Sequence, residues 1–275
     1  MNTDSLYTLW TIDLTLMLLS FGVQLWTRRA GIVDAAWSFA VAFGALYVAV
    51  IHVEGDLWTR IFVGAASSLW FARLGWHLIT RYQHETREDG RYARMRAASG
   101  RWEIPVFLLF FLFQALIALL FTLPMWILTQ IPHAEWTALH PLLLIIAMLL
   151  MAGAFWGETT ADQQLAAFRA VQSNRGKTLR VGLWAYSRHP NYFFEWLHWF
   201  AYPLIGFDLV LQGGMEGGLS IWIYGLWLYP VLMFLFLYFV TGIPFTEQQA
   251  LSNRGDDYRR YQQDTPLFFP RRPRQ

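Results

Sequence analysis

Polar side chains capable of chemistry interrupt several long apolar stretches of this chain, and their spacing groups them. Arg73 and His77 stand four apart with Trp70 one turn before, so all three share one face of a helix. Glu158 and Asp162 repeat that spacing, and Arg169 follows two turns further on. Asn191, Glu195 and His198 form a third stripe. Asp34 stands near the start of another apolar run, with Trp37 and Ser38 one turn on. Ionisable groups inside apolar spans are costly to desolvate and mark binding or proton transfer. Interhelical contacts such as Arg73–Asp34 or Arg73–Glu158 are the structural alternative. A purely structural bundle gains little from so many buried ions, because desolvation offsets pairing. Asp13, alone in the first run, reads as such a structural contact. The rest describe a polar cavity opening to the cytoplasm.

The segment Gly182-Leu-Trp-Ala-Tyr-Ser-Arg-His-Pro-Asn-Tyr-Phe-Phe-Glu195 adds a second kind of chemistry. Pro190 suits the first turn of a helix, where its missing N–H costs nothing. Free N–H groups at that helix start, beside Arg188 and with Lys177 and Arg180 nearby, suit a phosphate or carboxylate of a cofactor.

The elements that must hold these residues are membrane spans. Of 275 residues 56% are hydrophobic and only 15% charged, against about 25% in a soluble domain. With 15 Trp, 12 Tyr and 22 Phe, the composition excludes a disordered chain and an ordinary soluble globule. The absence of cysteine excludes disulfides, thiol nucleophiles and Cys-ligated metals. Seven apolar runs have the length of a helical span: Ser5–Trp26, Ile32–Val53, Leu57–Thr80, Ile104–Thr129, His140–Thr160, Asn191–Leu211 and Leu219–Gly242. The connecting segments alternate between rich in Arg and Lys and empty of them. Arg60 and Arg73 alone break that pattern, which predicts an outside N-terminus and a cytoplasmic C-terminus. The expected fold is therefore an all-α integral membrane protein of seven transmembrane helices. It forms a single transmembrane domain, with spans 1–4 within residues 1–130 and spans 5–7 plus tail within 140–270. Gly213, Gly214, Gly217 and Gly218 mark an outer turn, and the charged stretch 81–92 reads as a solvated inner loop or, alternatively, a lid over a cofactor. His84 and Glu85 lack metal-ligand spacing, so no metal is expected.

Arg188-His189-Pro190-x-Tyr192, followed by Glu195 and Trp199, resembles the C-terminal cofactor region of the steroid 5-alpha-reductase family, shared by sterol C14 reductases. The tail, Gly242-Ile-Pro-Phe-Thr-Glu247 through Arg254-Gly-Asp-Asp-Tyr258-Arg-Arg-Tyr261 to Pro266-Leu-Phe-Phe-Pro270, fits too, and looks most like the bacterial branch. The resemblance covers about Gly157 to Pro270. It implies an NADPH-dependent oxidoreductase of seven spans in a bacterial inner membrane, without a soluble dinucleotide-binding domain. It implies a cofactor site of Glu158, Asp162, Arg169, Asn191 and Glu195, with Lys177 and Arg180 on the 2′-phosphate. Tyr186, Arg188, His189, Tyr192, Glu247, Arg254 and Tyr258 belong to the matching motifs. Arg73 or His77 corresponds to a cofactor-contacting Arg on the third span, and in the lid reading of residues 81–92 Arg81 or Arg87 meets a cofactor phosphate. The family also pairs a catalytic carboxylate on span 2, here Asp34, with a Tyr on span 3. That span has no Tyr in its body; Trp70 is nearest, Tyr82 lies beyond its end, and His77 is a second acid.

The implied reaction reduces a C=C bond conjugated to a ketone, in a 3-oxo-Δ4 steroid or similar enone lipid. Hydride attacks the β-carbon while an acid polarises the carbonyl oxygen. The implied partners are that hydrophobic lipid and membrane lipids, with no nucleic acid. The Arg-His-Pro-x-Tyr signature also resembles membrane methyltransferases of the isoprenylcysteine carboxyl methyltransferase type, which use S-adenosylmethionine. A transporter is the third class, against which stands the absence of an inverted repeat.

Overall fold

A computed structural model describes residues 3–84, 87–212, 219–240 and 242–272. The expected outer turn at Gly213, Gly214, Gly217 and Gly218, and Glu85, lie outside the described residues. Every regular element among the described residues is helical. The helices are α1 Asp4–Thr27, α2 Ile32–Ile51, α3 Leu57–His84, α4 Gly90–Ser99, α5 Glu103–Leu128, α6 His140–Ala170, α7 Pro190–His198, α8 Ala201–Leu211, α9 Leu219–Gly225, α10 Leu228–Leu235, α11 Ile243–Arg254 and α12 Asp256–Asp264. Five stretches are long and apolar enough to cross a membrane: Asp4–Thr27, Ile32–Ile51, Gly90–Leu128, His140–Ala170 and Ile221–Arg254.

The expected third and sixth spans are not among the five. α3 is one continuous helix, but Arg60, Arg73, His77, Arg81 and His84 dilute its apolar character. The sixth run is broken into α7 and α8 around Trp199 and Phe200. Pro203 explains the position of the break: it offers no N–H to the carbonyl four residues earlier, Trp199, and its ring crowds that carbonyl. The same arithmetic places the break between α9 and α10 at Leu226, four residues before Pro230. Here the backbone tightens instead, with Leu226 N–H bonding to Ile223 and Trp227 N–H to Tyr224.

The chain divides into two compact units, Met1–Trp136 and Thr137–Gln275. In the first, α2 packs on α3, and α1, α2 and α5 share a seam. Gly64 permits the α2–α3 approach, since a Cβ there would stand 2.4 Å from Ala49 Cβ. One end of the seam holds a buried polar layer. Trp126 Nε1 donates to Ser5 Oγ at 2.8 Å, and His52 bridges Ser5 and Thr129 at 3.2 and 2.8 Å. Arg60 has a local explanation for breaking the charge pattern. Its guanidinium donates to the carbonyls of Ala49, Val50 and Val53, capping the end of α2. Asp13 differs from its expectation as a polar contact: it is 2% exposed and its Oδ1 has no hydrogen-bond partner among the described residues.

In the second unit, α6 packs against α7 and α8. Asp208 accepts from the backbone N–H and the hydroxyl of Thr137 just before α6. The tail is a strap. Phe268 and Phe269 enter an aromatic cluster with Phe193, Trp196 and Phe234. Ser187 Oγ donates to the Phe268 carbonyl at 2.8 Å and Arg188 N–H to that of Pro266 at 2.9 Å.

Candidate functional site

Two carboxylates organise the polar residues, one in each unit. In the first unit the centre is Asp34, in the first turn of α2. Its Oδ2 accepts from Arg91 Nη2 and its Oδ1 from the Tyr92 hydroxyl, both at 2.7 Å. Both donors come from the first turn of α4, where the charged stretch 81–92, expected to be a solvated loop or a lid, ends. A side-chain cap starts this helix: Asp89 accepts from the Arg91 N–H at 2.9 Å. Asp89 also accepts from Arg91 Nε at 3.1 Å and Arg81 Nη2 at 3.3 Å. Burial works against charge on Asp89, yet the Arg91 bonds and the Arg81 charge hold its carboxyl below the usual range. Further along α4, Arg96 donates to Glu88 at 2.9 Å and to Glu103, and Glu103 also pairs with Arg28 at 2.9 Å. α4 is thus tied by ions to the ends of α1, α2 and α5, and Tyr92 is left 3% exposed beneath it.

Of the other residues expected in this unit, Trp70 is fully buried, with the Arg73 guanidinium 5.8 Å from its ring. His77 is exposed on α3. Asp34 therefore takes its hydrogen bonds from α4 and not from α3. The sequence reading missed Arg91 and Tyr92. A signal existed in Tyr92 itself, an aromatic residue two places after a glycine in an otherwise charged segment.

In the second unit the centre is Glu247 on α11. It accepts from Arg188 Nη1 at 2.6 Å, His189 Nε2 at 2.8 Å, the Tyr258 hydroxyl at 2.5 Å and Gln262 Nε2 at 2.6 Å. Burial pushes the His189 imidazole below its ordinary pKa, against the pull of Glu247, so the ring stands neutral and donates from Nε2. Burial also raises the Tyr258 phenol, and its bond to Glu247 adds to this. Tyr192 stacks on His189 at 5.4 Å, and Arg254 lies 5.0 Å over the Tyr258 ring.

The segment leading to this hub is folded onto α6. Gly182 has φ +63, a conformation that favours glycine, and a Cβ there would meet Gln164 at 2.5 Å. The turn it allows lets Gln164 accept the Leu183 N–H at 3.0 Å, and Trp184 Nε1 donates to the Ala161 carbonyl at 3.0 Å. Asn191 Nδ2 donates to Asp162 Oδ1 at 3.3 Å, joining the two expected stripes. Glu158 is buried one turn before Asp162, and Glu195 lies 4.0 Å from His198 Nδ1. Arg180 is bound to Asp257, whose other oxygen accepts the Thr178 N–H at 2.8 Å. Arg169 and Lys177 are exposed, and so is Tyr186, whose carbonyl accepts from Arg271 N–H at 3.1 Å. Asp257 and Gln262, not expected from sequence, are what hold Arg180 and complete the Glu247 shell. No group of three His, Asp or Glu suited to a metal ion occurs among the described residues.

These features define an integral, multi-pass helical membrane protein with polar side chains gathered on two carboxylates. A family profile described as "Protein of unknown function (DUF1295)" matches residues 20–265, so the chain belongs to the DUF1295 family. An uncharacterised protein of the fission yeast Schizosaccharomyces pombe is 25% identical over 280 residues, which cover 91% of this chain and 75% of that protein. No solved structure matches the chain.

Proposed function

We propose that this protein is an NADPH-dependent reductase of the conjugated C=C bond of an enone lipid, a 3-oxo-Δ4 steroid being the type. It crosses the bacterial inner membrane seven times with the C-terminus inside. The observation that carries this reading is the Tyr92 hydroxyl held on the Asp34 carboxylate with Arg91 beside it. Adding hydride to an enone puts negative charge on the carbonyl oxygen, and a positioned O–H or guanidinium must meet it. Methyl transfer from S-adenosylmethionine needs no such acid. In this reading the Tyr92 O–H protonates the enolate oxygen, and Asp34, paired with Arg91, positions the phenol. The enol then tautomerises to the saturated ketone. Enone, NADPH and one proton give saturated ketone and NADP⁺.

The nucleotide supplies the hydride. The second unit's residues suit it in two respects. Arg175 and Lys177 are exposed cations without an ion pair among the described residues, as a 2′-phosphate requires. Arg188 Nε and Thr178 Oγ1 are buried without a hydrogen-bond partner among the described residues, which leaves them hydrogen-bonding capacity for a ligand. Asp162, Asn191 and Arg169 are the further candidates for holding it.

The test titrates NADPH, NADH and S-adenosylmethionine into the detergent-purified protein and follows thermal stability, which rises with any ligand that binds only the folded state. The proposal expects a rise with NADPH, lost in Lys177→Ala. A rise with S-adenosylmethionine alone contradicts it.

A further inference from the structure

Beside the Asp34 network the first unit carries a polar cleft lined by Arg29, Arg81, Tyr82, Arg87, Glu88 and Asp89. The two carboxylates of that wall are already engaged. Glu88 accepts the backbone N–H of Ala30 at 3.1 Å and Arg96 at 2.9 Å, and Asp89 is held by Arg91. The three arginines are not equally engaged. Arg29 lies 4.0 Å over the Tyr82 ring and donates to the Tyr82 carbonyl. Arg81 reaches Asp89 while 40% exposed. Arg87 is exposed and has no hydrogen bond or ion pair among the described residues. The cleft therefore presents guanidinium donors in excess of acceptors, which suits an anion with several oxygens.

Depth identifies the anion. Trp26 and Trp102 stand at this same end of α1 and α5 and are 86% and 60% exposed, and Trp76, two turns before the end of α3, is 70% exposed. Exposed tryptophans at the ends of spans mark the level of lipid headgroups. Trp26 lies three residues before Arg29 and Trp76 five before Arg81, while Trp102 precedes the Glu103 that pairs with Arg28 at the end of α1. We propose that this cleft binds the phosphodiester of an anionic phospholipid. It holds the basic end of α1 and α3 at the headgroup layer, with Arg87 as the arm that closes on the phosphate. This assigns Arg81 to lipid and not to the nucleotide, and it holds whether or not the protein is a reductase.

The experiment adds short-chain dioctanoyl phosphatidylglycerol, dioctanoyl phosphatidylcholine, inorganic phosphate or NADPH to the purified full-length protein in a nonionic detergent and reads saturation of the thermal shift. Phosphatidylglycerol is expected to saturate and phosphatidylcholine not. Arg87→Ala, which breaks no internal bond, should weaken phosphatidylglycerol about fivefold, the usual share of one basic residue near an anionic surface, and Arg87→Glu should abolish the shift. Arg101→Ala, an exposed arginine at the same end lying over Trp102, should change nothing. Equal shifts with both lipids would show binding indifferent to headgroup charge, equal weakening in Arg101→Ala would show general surface charge, and either would overturn the site. An Arg87-dependent shift of the same size with phosphate or NADPH would overturn the lipid assignment.

Discussion

Asp34 and Glu247 are both carboxylates at the cores of polar clusters, yet their surroundings differ in a way that separates chemistry from construction. Glu247 has four donors on it, two from α12 and two from the segment just before α7, and its side chain is 13% exposed. A carboxylate offers about four acceptor sites, so Glu247 is saturated. Asp34 has two donors and a side chain 22% exposed, with acceptor capacity left over. A saturated carboxylate locks its neighbours together; an unsaturated one beside a phenol can change partners during a reaction. Arg188 and His189, read from the sequence as a cofactor site, are in this structure first of all the residues that fasten the tail helices to α7.

Tyr92→Phe should lower enone turnover by about a hundredfold or more, the usual contribution of a positioned acid, with NADPH affinity and thermal stability nearly unchanged. Glu247→Ala should destabilise the protein by about 3–5 kcal/mol, because it leaves buried Arg188 without its counter-charge. Glu247→Gln should come close to it, since an amide N–H₂ then faces the guanidinium. Asp34→Ala should cost about 1–3 kcal/mol, as water can reach the freed Arg91 guanidinium but not the buried Tyr92 hydroxyl, while removing turnover. Equal melting losses for Asp34→Ala and Glu247→Ala, measured by denaturation in detergent, would erase the distinction drawn between them.

A smaller effect sharpens it further. The neutral form of His189 is favoured by folding, so its contribution is complete above the unfolded histidine value of about 6.5. It falls away as the pH drops below that value toward the lowered folded one. The thermal midpoint should therefore fall between neutral and mildly acidic pH, and His189→Gln should flatten that slope. An unchanged slope in the variant would remove His189 from the account.

The sequence made the helical class legible, and with it the starts of α1, α2, α3, α5 and α6, because apolar run length reports on long apolar helices. Proline positions hid the breaks in the sixth and seventh runs: hydropathy counts Pro203 and Pro230 as ordinary residues, whereas each removes the hydrogen bond four residues back. The second cluster was legible through its motifs, down to Arg188, His189, Glu247 and Tyr258. Its ion-pair role was not, since motif residues were matched to a ligand and not to one another. α4 was least legible. Ten residues dense in arginine carry no apolar stripe, and they are held by the pairs Arg96–Glu88 and Arg96–Glu103 and by Arg91–Asp34, which joins distant parts of the chain.

The most direct test is a single-turnover measurement on the detergent-purified protein, preloaded with NADPH and mixed with a 3-oxo-Δ4 steroid, following loss of reduced-nicotinamide absorbance in wild type and Tyr92→Phe. The account predicts rapid oxidation with stoichiometric saturated ketone in wild type, and the same bound NADPH but at least about a hundredfold slower decay in the variant. Equal rates in the two proteins, or no oxidation by wild type with NADPH bound and a range of enones supplied, would contradict it.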